Sequence, residues 1–273
     1  MKKIGVVVKP DHTERDEITK NLVDWLRQHK KEVALIDLQK ARRIPPVDMI
    51  VVLGGDGTLL SVARRVEGRD ILILAVNLGS LGFLTEVKYD EIYPTLERVF
   101  KGQFLEDTRQ MLACVVWRGQ KTYPQPVVLN EVAVNSGPSA KLIRMEITID
   151  HQFVTALRAN GVIISTATGS TAYALSAGGP ILYPSVEALV LTPISPHMLT
   201  QRPIVVPASA KVQVTLKTTE RGAVVTFDGQ QVTPLMPDDV VDIQAAKTRL
   251  KLIRSPHRNH YQVLREKLRW GEG

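Results

Sequence analysis

Residues 51–60, Val51-Val52-Leu53-Gly54-Gly55-Asp56-Gly57-Thr58-Leu59-Leu60, carry an apolar, β-branched run straight into a glycine turn that holds one carboxylate. Glycine removes the Cβ that would keep an anion away from backbone N–H groups, and a helix starting at such a turn adds the positive end of its dipole. Gly54, Gly55, Gly57 and Thr58 are therefore candidate phosphate-holding residues. The turn is not a Walker A loop, since no Gly-Lys-Ser/Thr follows at the required spacing. Nor is it the dinucleotide fingerprint, because Leu60 stands where the third glycine belongs. Asp56 sets it apart, because a carboxylate repels phosphate unless a metal bridges them or the acid faces a hydroxyl. Two readings of Asp56 stand side by side: an acid turned towards a hydroxyl acceptor, or the closing residue of an Asx turn.

Other stretches carry polar groups suited to recognition. In Asn130-Glu131 the amide offers both a donor and an acceptor and the carboxylate accepts from hydroxyl or amino groups, although Asn after a strand also serves in turns. A Ser/Thr/Gly-rich run from Ser165 to Pro180 contains Tyr173, able to stack or hydrogen-bond and equally able to pack half-buried. Lys141 and Arg158 could offset an anion, but single basic residues in a β-rich segment are usually surface. Asp228-Gly229-Gln230 is first of all a hairpin-turn signal. His197 invites a general-base reading, and His257 and His260 in the basic tail do so more weakly; all three are read as structural.

Lys and Arg outnumber Asp and Glu by 35 to 28, a formal charge of +7 that suits an anionic small substrate and, taken alone, nucleic acid as well. With aromatic residues at only 5%, a base-stacking platform is not expected, and nucleic acid is set aside as a partner. No stretch approaches the roughly 20 apolar residues of a membrane span. Met1 to Gly5 is basic but leads only into a short apolar run ending at Lys9-Pro10, which marks a first strand and not a signal peptide. The single Cys114 excludes an intrachain disulfide, disfavours structural zinc and points to a reducing cytoplasm.

These residues need elements to hold them. Apolar runs at Ile4–Val8, Val33–Ile36, Met49–Leu53 and Ile71–Val76 predict strands buried on both faces. Between them the spacing predicts helices over 16–29, with Ile18, Leu22 and Leu26 on one stripe, and over 59–66; a third follows over 89–100. A basic loop with Lys40, Arg42 and Arg43 could bind phosphate, although a solvated loop is the simpler reading. Alternating strands and helices predict an α/β domain with a doubly wound, mostly parallel sheet over 1–108. From there the pattern turns β-rich and largely antiparallel over 109–253, with strands at 111–117, 127–134, 142–149, 161–165, 211–216, 224–227 and 240–243. One helix is expected within it, over 171–177. A tail over 254–273 is expected to return to the first domain, with a last helix over 256–270 on which Tyr261, Leu264 and Leu268 are spaced three and four apart.

Gly54-Gly55-Asp56-Gly57-Thr58 resembles the motif shared by NAD kinases, diacylglycerol kinases, sphingosine kinases and, more distantly, phosphofructokinases. Asn130-Glu131 and Ser165 to Pro180 resemble NAD kinase in particular, and Asn77–Glu86 and Leu191–Pro203 also look like segments of that family. The lipid-kinase Gly-Asn-Asp loop is missing, its place taken by Asn77-Leu78-Gly79-Ser80. The resemblance implies phosphorylation of the 2′-hydroxyl of the adenosine ribose of NAD, with ATP or polyphosphate as donor and a divalent metal, magnesium, as cofactor. It implies Asp56 as the catalytic acid that orients the hydroxyl and takes its proton. Substrate-binding positions implied are Gly57, Asn130, Glu131, Lys141, Arg158, Asn160, Thr171, Ala172, Tyr173, Ala174, Leu175, Ser176 and Gln230. Homodimers or homotetramers are the implied assembly. Two departures stand out: Asn160 where many relatives have Asp, which keeps an acceptor oxygen and loses the charge, and Ala167 where proline is usual. The competing readings are a lipid or small-alcohol kinase sharing the glycine loop, and a nucleotide-binding module without turnover.

Overall fold

The computed structural model describes residues 1–8, 13–41, 43–66, 68–79, 81–139, 141–219 and 222–271, with the side chains of 13–16 excepted. Lys9-Pro10, Arg42 and Ser80 lie outside the described residues. Two compact units make up the chain, Met1–Thr108 with Leu250–Gly273, and Arg109–Arg249.

The first unit begins β1 (Lys3–Val8), α1 (Thr13–Gln28), β2 (Glu32–Ile36), β3 (Met49–Leu53), α2 (Asp56–Val66), β4 (Leu72–Asn77), β5 (Val87–Lys88) and α3 (Ile92–Phe100). β2, β1, β3 and β4 lie side by side, every pair parallel, with β5 parallel to the end of β4. All five residues of β3 are buried, as a parallel sheet covered on both faces requires. Leu22 and Leu26 of α1 and Ile92, Leu96 and Val99 of α3 share one core with Ile4, Val6, Val51 and Leu74. Val7, Ile50, Val52, Ile73 and Ala75, one residue out of phase, are buried outside that core, and α2 buries Leu59, Val62, Ala63 and Val66. The second helix begins at Asp56 and not at Leu59, because the glycine turn itself winds into the first helical turn.

The second unit holds most of β6 (Glu106–Arg118), then β7 (Lys121–Pro124), β8 (Glu131–Asn135), β9 (Ile143–Ile149), β10 (Gln152–Ala159) and β11 (Gly161–Thr166). After these come α4 (Tyr173–Ser176), β12 (Ala188–Ile194), β13 (Ile204–Pro207), β14 (Val212–Leu216), β15 (Val224–Phe227), β16 (Gln231–Pro234) and β17 (Val240–Ile253), which runs on into the first unit. One antiparallel sheet has the order β13-β12-β11-β8-β15-β16. A second runs β10-β9-β14 and the first residues of β17. Val132, Val134, Val162, Ile164 and Phe227 from one meet Met145, Ile147, Leu157, Val214 and Ile243 from the other in a single core. Cys114 sits in that core, and burial pushes its thiol well above the ordinary range, so it is no nucleophile.

The helix expected over 171–177 is a 3₁₀ turn, Thr168–Thr171, followed by the four residues of α4. Ala172, at φ −99° and ψ −129°, separates the two. The passage back to the first unit falls at Arg249/Leu250, inside β17 and ahead of the boundary at 253/254 that the sequence predicts. Lys251 and Leu252 pair parallel with Leu72 and Ile73 of β4, and α5 (His260–Leu268) closes the chain in the first unit.

Candidate functional site

Asp56 stands at the carboxyl end of β3 as the first residue of α2, where a parallel sheet places its ligand-handling groups. Its carboxylate does not close its own turn, so the Asx-turn reading fails. It gathers instead a second glycine loop, the one that follows β4 and carries Gly79 and Gly82. Phe83 N–H donates to Oδ2 at 2.9 Å, and Oδ1 accepts from Leu84 N–H (3.2 Å), Thr85 N–H (3.1 Å) and the Thr85 hydroxyl (3.0 Å). Behind Thr85, Asn77 Nδ2 donates to Thr85 Oγ1 at 2.9 Å while Asn77 Oδ1 accepts from Gly79 N–H at 2.6 Å. A Cβ on Gly82 would lie 2.0 Å from Asp56 Oδ1, so only glycine lets this loop close on the acid.

The four candidate phosphate residues do not act alike. Gly54 N–H donates to Val76 O at 2.9 Å and Thr58 N–H to Gly55 O at 3.0 Å, so neither backbone donor points at a ligand. Gly54 is glycine because a Cβ there would meet Thr58 Oγ1 at 2.6 Å. Gly55 is exposed, and among the described residues nothing lies within 4 Å of where its Cβ would be. Gly57 follows Asp56 in the first turn of α2.

Within the second unit three segments converge. Thr166 N–H donates to Asn130 O at 2.9 Å, and the Thr166 hydroxyl donates to Leu129 O at 2.7 Å while accepting from Gly169 N–H at 3.0 Å. A Cβ on Gly169 would come within 2.1 Å of Asn130 O. From the β15–β16 turn, buried Asp228 accepts N–H bonds from Leu129 (3.1 Å), Asn130 (2.8 Å) and Glu131 (3.1 Å). Those bonds fix the backbone of the Asn-Glu pair, whose Asn130 Oδ1 and Glu131 Oε2 are buried with no hydrogen-bond partner among the described residues. Orphaned acceptors at the mouth of a strand are what a ligand would satisfy. Burial, and then the charge of Asp228, push the Glu131 carboxyl up to about 8. Asp228→Asn keeps one acceptor oxygen for three buried donors, so we expect a loss of about 2 kcal/mol of stability, seen as a lower Tm. An unchanged Tm would show that the three bonds do not hold this segment.

The remaining candidates divide. Thr171, Ala172 and Leu175 are half-buried and Tyr173 and Ser176 exposed, all on the segment that Gly169 seats against Asn130. The methyl of Ala174 is fully buried against Ala133 and Ile163, so its side chain packs this segment onto the sheet. Lys141, Arg158 and Gln230 are exposed. Asn160 joins β10 to β11, its backbone tied to Ser136 and Ile194. Asp228 and Gly229 take φ +48° and +61°, the turn their sequence announces. Four positioning residues escape the sequence reading. Thr85 and Gly82 shape the loop around Asp56, Asp228 orients Asn130-Glu131, and Arg109, a buried cation, donates to Thr168 Oγ1 at 3.4 Å. An arginine two residues ahead of the apolar run Met111–Val116 was the signal available. Among the described residues no group of three or more His, Cys, Asp or Glu side chains is placed to hold a metal ion, and no helix is long and apolar enough to cross a membrane.

Residues 30–104 match the family model of the ATP-NAD kinase N-terminal domain and residues 129–255 that of the ATP-NAD kinase C-terminal domain. The NAD kinase of Syntrophotalea carbinolica is 46% identical with both chains wholly covered, and that of Geobacter metallireducens 44%, again over both full lengths. Among solved structures, an NAD kinase from Archaeoglobus fulgidus in complex with ATP superposes with a TM-score of 0.83 at 28% identity, covering 97% of this chain and 99% of that one. Yeast NADH kinase complexed with NADH gives a TM-score of 0.91 at 24% identity, over 100% of this chain and 89% of its own, and attests the fold.

Proposed function

The chain belongs to the NAD kinase family, and we propose that Asp56, held at the start of α2 by the second glycine loop, is the acid through which it works. The activity is transfer of a phosphoryl group from ATP to the 2′-hydroxyl of the adenosine ribose of NAD, giving NADP. A carboxylate is a weak base for an alcohol. Phosphoryl transfer passes through a loose transition state, so the hydroxyl loses its proton late, and catalysis rests on positioning and charge neutralisation. The single observation that carries the reading of Asp56 is the asymmetry of its carboxylate. Three donors engage Oδ1 and one engages Oδ2, so Oδ2 keeps a lone pair to orient the ribose hydroxyl and receive its proton.

Magnesium, when bound, neutralises charge on the transferring phosphoryl group. Such an ion keeps several waters and takes one or two carboxylates beside the donor's phosphates, and Asp56 is the carboxylate of this chain that would face it. Gly55 and Gly57 are the backbone positions we assign to the phosphate side. Asn130, Glu131, Thr171, Ala172, Tyr173 and Ser176 are assigned to NAD, and Asn160 to a hydrogen bond without charge.

A ribose hydroxyl donates best to ionised Glu131, so binding of NAD draws a proton off this residue. Affinity for NAD is expected to rise with pH towards about 8 and then level, and Glu131→Gln to flatten the profile; calorimetric titration from about pH 6 to 9 reads both. For folding, the sign is opposite. The raised carboxyl contributes stability fully present below its unfolded value of 4.5, and lost as pH rises through about 8.

We further propose a homodimer or homotetramer in the cytoplasm, on the family resemblance; a monomer by light scattering at working concentration would overturn the assembly. Incubation with magnesium and either ATP or polyphosphate, offering NAD and NADH separately and scoring NADP and NADPH, tests the reaction and its range. Absence of either product from every pairing would overturn the function.

A further inference from the structure

Beneath α4 the six-stranded sheet presents a face made of Glu131 and Ala133 on β8, Ile163 and Ser165 on β11, and Val190 and Thr192 on β12. The pairings Glu131 with Ser165, Ala133 with Ile163, Ile163 with Thr192 and Ser165 with Val190 set this alternation. Ala174 of α4 packs on Ala133 and Ile163 from above. Three polar atoms interrupt this otherwise apolar layer: Glu131 Oε2, Ser165 Oγ and Thr192 Oγ1. All are buried, and none has a hydrogen-bond partner among the described residues. Ser165 and Thr192 are both wholly inaccessible to solvent. Leaving such a hydroxyl unsatisfied costs more than filling the place with a methyl group, so Ser at 165 calls for a use.

The register supplies one. Directly opposed residues of an antiparallel pair hold their Cβ atoms about 5 Å apart, close enough for a serine hydroxyl to turn onto a neighbouring carboxylate. Ser165 is opposite Glu131, whereas Thr192 is opposite Ile163 and only diagonal to Ser165. We propose that Ser165 is a positioning residue for the Glu131 carboxyl, donating its hydroxyl to Oε2 once that carboxyl ionises to receive the ribose hydroxyls of NAD. The proposal rests on the assignment of Glu131 to the dinucleotide. No bond to carbon changes; one proton leaves Glu131 for solvent and the Ser165 hydroxyl reorients towards the charge left behind. The ionisable groups around Glu131 are consistent with a need for such a donor. Asp228 opposes ionisation from the β15–β16 turn, Arg109 is directed to Thr168, and Tyr173 on α4 is exposed. The facing residues of β11 and β12 are uncharged.

The test is the pH profile of NAD affinity in four variants of the full-length enzyme. Ser165→Ala is expected to weaken NAD binding about five- to tenfold at pH 7 and to move the midpoint of the profile upwards, with kcat at saturating NAD within twofold of wild type. Ser165→Thr, which keeps the hydroxyl, should restore the midpoint. Thr192→Val removes an equally buried hydroxyl that is not opposite Glu131 and should leave the midpoint in place; an equal shift there would reveal a packing effect and overturn the proposal. In a Glu131→Gln background Ser165→Ala should add nothing. A midpoint unmoved by Ser165→Ala, while Glu131→Gln weakens binding, overturns the role of Ser165 alone. Glu131→Gln with wild-type affinity overturns the assignment of Glu131 itself, and this proposal with it.

Discussion

Replacing Asp56 with Asn is expected to lower kcat about a thousandfold, the middle of the range for losing a positioned acid-base group, while most NAD affinity survives. The size follows from two losses. An amide has no charge to orient the ribose hydroxyl and cannot take its proton. It also has a single acceptor oxygen for donors that now reach both, Phe83 N–H at Oδ2 and the Leu84 and Thr85 donors at Oδ1. Whichever way the amide is turned, its own NH2 confronts a backbone N–H, and the loop must draw back on that side. Circular dichroism and calorimetric NAD binding should stay close to wild type, since Asn130, Glu131 and their supports belong to the other unit. Turnover near the wild-type rate would remove Asp56 from the chemistry.

Gly82→Ala should cost nearly as much without touching any polar group. Its Cβ would sit 2.0 Å from Asp56 Oδ1 and 2.5 Å from Thr85 Oγ1, distances that no real contact shows. The loop or the carboxylate must shift by an ångström or more, and a displacement of that order in a catalytic group costs about a hundredfold in rate. NAD affinity should barely change. Gly79→Ala is the matched control, because its Cβ would meet Asn77 Oδ1 only at 3.9 Å, an ordinary contact. Equal kcat values for the two variants would mean that closure of the loop on Asp56 is not part of the working enzyme.

Parallel strands were readable because burial on both faces leaves unbroken apolar runs, as in Met49–Leu53. The glycine turn and the Asp228-Gly229 hairpin were readable because left-handed or tight backbone demands particular residues. Edge strands were not. Gln152–Ala159, Ile204–Pro207 and Gln231–Pro234 are largely exposed, carry Pro or a bulge, and lack the alternation that marks a half-buried strand. Side chains that act at long range were equally silent. Asp228 reaches backbone donors 97 to 99 residues earlier, and Asp56 collects donors 27 to 29 residues later. No local pattern encodes such a reach, so Asp228 read only as a turn residue. The segment 171–177 misled in another way: Ala172, at φ −99° and ψ −129°, interrupts the winding, so the helix is cut to the four residues Tyr173–Ser176 behind the 3₁₀ turn Thr168–Thr171.

One labelling experiment tests the central claim most directly. Wild-type enzyme and Asp56→Asn are each given magnesium, NAD and ATP labelled in its γ-phosphoryl group, and the position of the label on the product is read by phosphorus NMR. The label is expected on the 2′-oxygen of the adenosine ribose with wild type and to be nearly absent with Asp56→Asn under conditions where both bind NAD. Label on any other oxygen, or equal labelling by the two proteins, would contradict the account.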